Sequence, residues 1–119
     1  MAEFDYDGLI FRSVANAGSG EVDGETRFHY RQAGAVVWAT YEGGAIVKGT
    51  LTAKVETSGV LDMRYALVNL QGALMTGRCR STPERLPDGR IRLHEDWQWT
   101  SGDGSSGRSV IEQVDGEDC

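Results

Sequence analysis

The stretch from Arg27 to Val55 contains three strand-like runs separated by two short turns, Ala33-Gly34 and Gly43-Gly44. Runs rich in β-branched and aromatic residues and bounded by turn formers are typical of β-strands. Two-residue connections join strands that are antiparallel neighbours in one sheet. The stretch therefore predicts a three-stranded β-meander.

The first of these turns also predicts which side chains share a face of the sheet. It sets Tyr30 opposite Val37, on the face away from Trp38, because directly opposed residues point to the same side. Carrying this register through the second turn places Leu51 and Ala53 on the Trp38 face. Which of the two faces points inward is left open by the sequence.

Five further runs have strand-like patterns and are separated by turn-forming segments. They cover residues 9–15, 60–70, 73–81, 90–100 and 108–114. The segment 82–89 holds both prolines of the chain and is predicted to be a loop. No stretch has a convincing helical period.

About eight strands joined by short turns predict an all-β fold. The expected form is a single antiparallel up-and-down barrel, calycin-like (lipocalin- or avidin-like), or a closely related sandwich. Closure into a barrel is favoured because it leaves no unpaired sheet edge. The 119 residues are expected to form one domain, 1–119, with frayed ends at 1–7 and 115–119.

Two glycines interrupt predicted strands five residues after a turn glycine. Gly49 follows Gly44, and Gly77 follows Gly72, in the similar runs GAIVKG and GALMTG. A glycine inside a strand is typical of a bulge or a sharp bend. We therefore expect the sheet to coil tightly at these two positions.

The formal net charge of −6 and the sequence pI of about 4.8 give a field that repels phosphate backbones and anionic lipid surfaces. Nucleic acid and membranes are therefore not expected as partners. The N-terminus has neither a basic region nor an extended apolar run. A cytoplasmic location is expected.

The cysteines and histidines form no recognisable site in the sequence. Cys79 and Cys119 are too few for a disulfide framework, and we interpret them as one packed and one terminal thiol. His29 and His94 have no third ligand at metal-binding spacing. We therefore predict no metal and no cofactor.

The run from Arg90 to Thr100 has the cleanest alternation in the chain, and its apolar set contains one carboxylate. That set consists of Ile91, Leu93, Glu95, Trp97 and Trp99. A carboxylate in an apolar stripe must be paired, protonated or exposed at a barrel mouth. One interpretation is a ligand anchor or general acid. The other is structural: an ion pair with Arg78 or Arg80, or a bulge that turns the side chain outward.

Three segments resemble a small family of uncharacterised bacterial proteins. They read FRSVANAGSGEVDGETRFHYRQ, VWATYEGGAIVKGTL and LMTGRCRSTPERLPDGRIRLHEDWQWT, and together they cover most of the chain. Some members of that family are labelled N-acetylglutamate synthase. An acetyl-CoA-dependent acyltransferase of the usual kind needs a pyrophosphate-binding loop at the start of a helix, so acetyltransferase activity is not expected here. The resemblance implies no catalytic residues.

The leading hypothesis is a non-enzymatic barrel that binds a small, partly apolar ligand in its interior, because polar groups among aromatic walls are typical of concave sites. One alternative is a homo-oligomeric interaction module that uses the outer face around Val36, Trp38 and Val47. Another is a small isomerase or lyase that uses Glu95 as acid or base. The predicted ligand-binding residues are Glu95, Trp97, Trp99, Tyr65, Arg78, Tyr30 and Tyr41.

Overall fold

The computed structural model describes residues 4–17 and 24–114, which form eight β-strands. Each strand pairs antiparallel with the next in sequence, and β8 pairs with β1, so the sheet closes into a barrel. This confirms the prediction of an all-β up-and-down barrel. The strands are β1 Ile10–Ala17, β2 Arg27–Ala33, β3 Val36–Gly43, β4 Ile46–Val55, β5 Leu61–Asn69, β6 Leu74–Arg85, β7 Ile91–Trp99 and β8 Ser106–Gln113. Residues 4–17 and 24–114 include no helix that is long and apolar enough to cross a membrane.

The barrel interior contains one continuous cluster of apolar side chains that alternate along the strands. Their exclusion from water is the main favourable term in folding a chain of this size. The largest fully buried members are Tyr6, Tyr30, Phe11, Leu61, Ile91, Leu93 and Ile111. The indole rings of Trp97 and Trp99 belong to the same cluster. They lie near the end of β7, whereas Ile91 lies at its start.

The three strands of the meander form as predicted, but the side chains of β4 face the opposite way from the prediction. Tyr30 lies opposite Ala39 rather than Val37, a shift of two positions that leaves the inward face unchanged. The register between β3 and β4 then shifts by one more residue at a bulge between Tyr41 and Gly43. Because a one-residue slip turns every following side chain over, Leu51 is buried whereas Trp38 is exposed, and the predicted place of Leu51 on the Trp38 face was wrong.

The predicted loop at 82–89 is also shorter than expected. β6 continues to Arg85, so the connection to β7 covers only residues 86–90. Residues 82–85 pair with β7 alone, because the pairing of β6 with β5 ends at Ser81. Pro83 therefore lies in a locally one-sided stretch, where a residue without an N–H group is tolerated.

The two glycines inside strands each lie opposite a tyrosine. Gly49 of β4 pairs with Tyr41 of β3, and Gly77 of β6 pairs with Tyr65 of β5. A Cβ atom added at either glycine would overlap the ring of its tyrosine partner. Neither glycine is itself a bulge, because both pair in regular register, although β4 has a bulge between Ile46 and Lys48. The two glycines leave space for a phenol ring to lie across the neighbouring strand.

The N-terminal segment closes one end of the barrel. Phe4 and Tyr6 are buried, and the backbone N–H of Tyr6 donates to Oε1 of Gln32 at 2.9 Å. The Arg85 guanidinium lies 5.1 Å from the centre of the Phe4 ring, a cation–π contact. Fraying of residues 4–7 was therefore a wrong prediction, and residues 1–3 and 115–119 lie outside the described residues.

Replacement of Gly77 by alanine tests the glycine–tyrosine pairing. Because the added methyl group forces the Tyr65 ring to move, we expect Gly77→Ala to lower the free energy of unfolding by about 1–3 kcal/mol. In a Tyr65→Ala background the same change should become neutral or favourable, since alanine otherwise suits a strand better than glycine. Urea denaturation of the four proteins of this double-mutant cycle gives the coupling energy.

Gly24→Ala is the control for this cycle, because among the described residues a methyl group there would approach the Ser13 carbonyl oxygen alone, at an ordinary contact distance of 3.8 Å. It should leave the free energy of unfolding nearly unchanged. If Gly77→Ala lowers the free energy of unfolding equally with and without the Tyr65 ring, the packing of that ring against Gly77 is contradicted.

Candidate functional site

Three polar side chains form a row across adjacent strands inside the barrel. Ser81 of β6 and Ser109 of β8 lie directly opposite Glu95 of β7. The Ser81 hydroxyl donates to Oε2 of Glu95 at 3.0 Å, and the Ser109 hydroxyl donates to Oε1 at 3.1 Å. Both serines are buried, so the carboxyl group is held by one hydroxyl on each side.

Within residues 4–17 and 24–114, no cation pairs with this carboxyl group. Arg78 and Arg80 are exposed and alternate with buried Cys79, so they point to the outer face of β6. Arg80 forms a salt bridge with Glu56 at 2.8 Å, and Arg78 donates to Oε1 of Gln98 at 2.8 Å. The alternative interpretation, an ion pair between Glu95 and one of these arginines, was wrong.

Burial without a cation changes the acidity of Glu95. Desolvation, only partly offset by the hydrogen bonds from Ser81 and Ser109, raises the pKa of Glu95 from 4.5 to about 7. By accessible area the residue is nevertheless only half-buried. At neutral pH the carboxyl group is therefore divided between its neutral and charged forms.

Aromatic side chains lie on one side of this row. Trp97 and Trp99 follow Glu95 on the inward face of β7, and their ring centres are 5.9 Å apart. Tyr65 meets Trp99 edge to face at 5.6 Å, a favourable geometry for aromatic pairs. The structure thus places Tyr65, Trp97 and Trp99 in one inward-facing group next to Glu95.

Tyr30 and Tyr41 are also inside the barrel and complete its aromatic lining. Tyr41 packs on Phe28 with ring centres 4.7 Å apart, and Tyr30 packs on Phe11 at 4.8 Å. Burial and, to a smaller extent, the Glu95 charge raise the pKa of the Tyr30 phenol well above 10. Its hydroxyl is the one buried side-chain polar atom within residues 4–17 and 24–114 that has no hydrogen-bond partner.

Arg78 is the predicted site residue that does not join the others. It borders an open groove of about 530 Å³ that runs over the outer faces of β5–β8. Other arginines in the groove already have acidic partners, such as Arg64 with Asp62 and Arg108 with Asp96. Ion pairs this exposed contribute little to stability.

Ser81 and Ser109 are the interior polar residues that sequence reasoning missed. Serine carries no hydropathy signal, and their role depends on which residue of β7 each one faces. The pair Asp88-Gly89 marks the turn between β6 and β7. A two-residue turn at that pair would set Thr82 opposite Glu95. The connection instead has three residues between Leu86 and Arg90, whose backbone groups are hydrogen-bonded, and this sets Ser81 opposite Glu95. The turn residues alone therefore do not lead from Glu95 to Ser81.

The two histidines lie on the outer surface. His29 is exposed on β2, and Nε2 of His94 lies 2.7 Å from Oε1 of Glu84. Among the residues that the structure describes, no group of three or more histidine, cysteine or acidic side chains could hold a metal ion.

The exposed apolar residues of the meander do not form one surface. Val36 and Trp38 are 44% and 40% exposed on β3. Trp38 lies opposite Thr52, whereas Val47 lies five residues away near the other end of β4. The predicted Val36, Trp38 and Val47 surface is therefore two separate patches.

Comparison with known proteins gives one match. A family model described as Avidin-like protein matches residues 4–114, which span all eight strands. This agrees with the resemblance to a small β-barrel family and with a calycin-like barrel. No curated protein and no solved structure matches the chain.

Glu95→Gln tests the energetic cost of the interior carboxyl group. Between pH 4.5 and 7 the folded wild type binds more protons than the unfolded chain, so Glu95 lowers stability as the pH rises. The shift from 4.5 to about 7 corresponds to about 3 kcal/mol. Glutamine imitates the neutral carboxyl group, so the variant should match the wild type near pH 4 and exceed its free energy of unfolding by about that amount at pH 8.

Denaturant titrations at pH values from 4 to 8 measure this difference. Asp96→Asn, on the outer face of the same strand, should show no comparable rise between pH 5 and 8. If the free energies of unfolding of Glu95→Gln and the wild type differ by the same amount at every pH in this range, the raised pKa is contradicted.

Proposed function

The chain belongs to the Avidin-like protein family, and we propose that it binds a small, partly apolar ligand inside its barrel, against Glu95. The observation that carries the proposal is a strongly desolvated carboxyl group whose partners are two hydroxyls. Such a group is costly to keep inside a protein. A bound ligand that completes the hydrogen bonds of Glu95 offsets this cost.

The partial accessibility of Glu95 supports the proposal of a space for that ligand. Desolvation dominates its pKa, and yet the residue keeps part of its accessible surface. A residue that is both deep and partly accessible borders a space that water can reach, and we propose that the ligand occupies this space. Tyr65, on the neighbouring inward face, is also half-buried.

The walls around this space suit a ligand with an apolar body. The rings of Tyr65, Trp97 and Trp99 offer wide apolar surfaces, and ligand sites are commonly apolar with a few placed polar groups. Phe4 and Tyr6 close the opposite end of the barrel. We therefore propose that the ligand enters from the end at which β7 reaches Trp99.

Native mass spectrometry of protein purified from its own host tests this function. We expect a retained small molecule that leaves when the protein is denatured. Ser109→Val adds apolar bulk beside Glu95 and removes one hydroxyl, so it should abolish retention. Ser106→Val changes an exposed residue of the same strand and should keep the ligand.

A Ser109→Val protein that is folded by circular dichroism and still retains the same mass would contradict an interior site. Wild-type protein from the host without any retained mass, in several preparations, would contradict the function itself.

A second candidate function, self-association, is favoured by one exposed apolar surface. Val47, Leu70 and Leu74 are 52%, 66% and 70% exposed. They lie together because the N–H of Leu70 donates to the Ala45 carbonyl at 3.0 Å and Val68 pairs with Leu74. Exposed apolar clusters of this kind commonly mark interaction surfaces.

Sedimentation analysis of Leu74→Asp tests self-association. The wild type should sediment as an oligomer and the variant as a monomer, because a charge placed in a buried apolar contact is strongly unfavourable. Thr76→Asp, exposed on the same strand, should retain the oligomer. A monomeric wild type would remove this candidate.

A further inference from the structure

We infer that the interior site binds an organic cation, a small molecule whose protonated nitrogen group contacts Glu95 and whose body packs against the aromatic walls. This inference rests on the proposed function and adds the chemical class of the ligand. It is carried by the hydrogen-bond geometry of Glu95, the charges of the inward-facing side chains, and an unpartnered phenol in the same interior.

The hydrogen bonds of Glu95 leave acceptor positions open. A carboxylate has about four lone-pair positions, and Ser81 and Ser109 each use one, on different oxygens. One position per oxygen remains. Two parallel N–H groups, as in an amidinium or guanidinium ion, match this arrangement, and so does a single ammonium group.

The described side chains of the interior include no positive group that balances the carboxylate. Along β1–β8, no described lysine, arginine or histidine side chain lies beside Glu95, and its pKa is set by desolvation and two hydroxyls alone. Arg85 lies at the closed end of the barrel, over the Phe4 ring. Since an unpaired charge inside a protein is strongly unfavourable, a cationic ligand relieves a cost that a neutral ligand leaves in place.

The aromatic lining favours the same class of ligand. The faces of tryptophan and tyrosine rings attract cations, and Tyr65, Trp97 and Trp99 lie in the group next to Glu95. Tyr30 adds a buried hydroxyl without a partner, and the Glu95 charge acts on its phenol. An N–H group of the ligand would give the Tyr30 oxygen a donor.

Proton release should accompany binding, because a cation stabilises the charged form of Glu95. The other titratable side chains that feel the Glu95 charge are Tyr30 of β2, Tyr41 of β3, Tyr65 of β5 and Cys79 of β6. Burial raises the pKa of each, so all four stay neutral between pH 6 and 8. The inward-facing described side chains of β1, β4 and β8 carry no titratable group.

Calorimetric titration with matched probes tests the inference. Two pairs differ in charge at nearly constant shape: benzamidinium with benzamide, and guanidinium with urea. Benzoate serves as the anion. At pH 8 we expect each cation to bind at least about tenfold more tightly than its neutral partner, about 1.4 kcal/mol, with benzoate the weakest of the three aromatic probes. Affinity for benzamidinium should rise from pH 6 to pH 8, with proton release detected in buffers of different ionisation enthalpy.

Glu95→Gln should bind benzamidinium and benzamide equally, and the pH dependence should be lost. Asp96→Asn, which removes a carboxylate from the outer face of the same strand, should keep the wild-type preference for cations. Weaker binding of cations in Asp96→Asn than in Glu95→Gln would locate the cations on the outer groove and overturn the inference.

The same titrations distinguish a failure of the cation inference from a failure of the proposed function. Preference for benzamide or urea would indicate a neutral donor, and preference for benzoate would indicate a protonated Glu95 that donates to an anion; either overturns the inference. If no probe binds and native mass spectrometry still finds a retained molecule, the cation inference fails and interior binding stands. If no probe binds and no molecule is retained, both fail.

Discussion

Two hydrogen bonds, from Ser81 and Ser109 to Glu95, hold a carboxyl group inside a barrel whose interior is mainly apolar and aromatic. Hydroxyl donors stabilise a carboxylate less than a guanidinium does, so they keep the group in place without fixing its charge. Desolvation, only partly offset by these two bonds, raises the pKa of Glu95 to about 7. The carboxyl group therefore responds to any ligand or pH change that favours one of its two protonation states.

The closed sheet is what makes this arrangement possible. Each of the three residues comes from a different strand, and the register of β6–β8 brings them opposite one another. The glycine–tyrosine pairs then bring phenol rings into the interior, since Gly49 and Gly77 leave room for Tyr41 and Tyr65. Arginines meanwhile alternate to the outer face, where carboxylates and water solvate them. Among the residues that the structure describes, the barrel thus keeps cations on its outer face and Glu95 inside.

Much of the fold could be predicted from the sequence, because alternation and turn residues act locally. The eight strands and the inward direction of Glu95 follow from patterns within single strands. The face of Leu51 could not be predicted, because a bulge in the β3–β4 pairing adds one residue to the register and bulges leave no fixed signature in sequence. Arg78 was misplaced because the run GRCRS lacks a clear apolar alternation.

The site was less predictable than the fold for a related reason. Its two serines are identified by what they face across strands, and that depends on register rather than on composition. The closure of one end by Phe4 and Tyr6 was missed because a short segment before the first strand has no periodicity to read. Tertiary contacts alone order it.

The protonation state of Glu95 is the most direct test of this account. Infrared spectroscopy can follow the carbonyl stretching band of a buried carboxylic acid, identified as the band that Glu95→Gln lacks. The account predicts that this band is present at pH 5 and disappears with a midpoint near pH 7. Absence of the acid band at pH 5 to 6, which would mean that Glu95 stays ionised like a surface carboxylate, would contradict it.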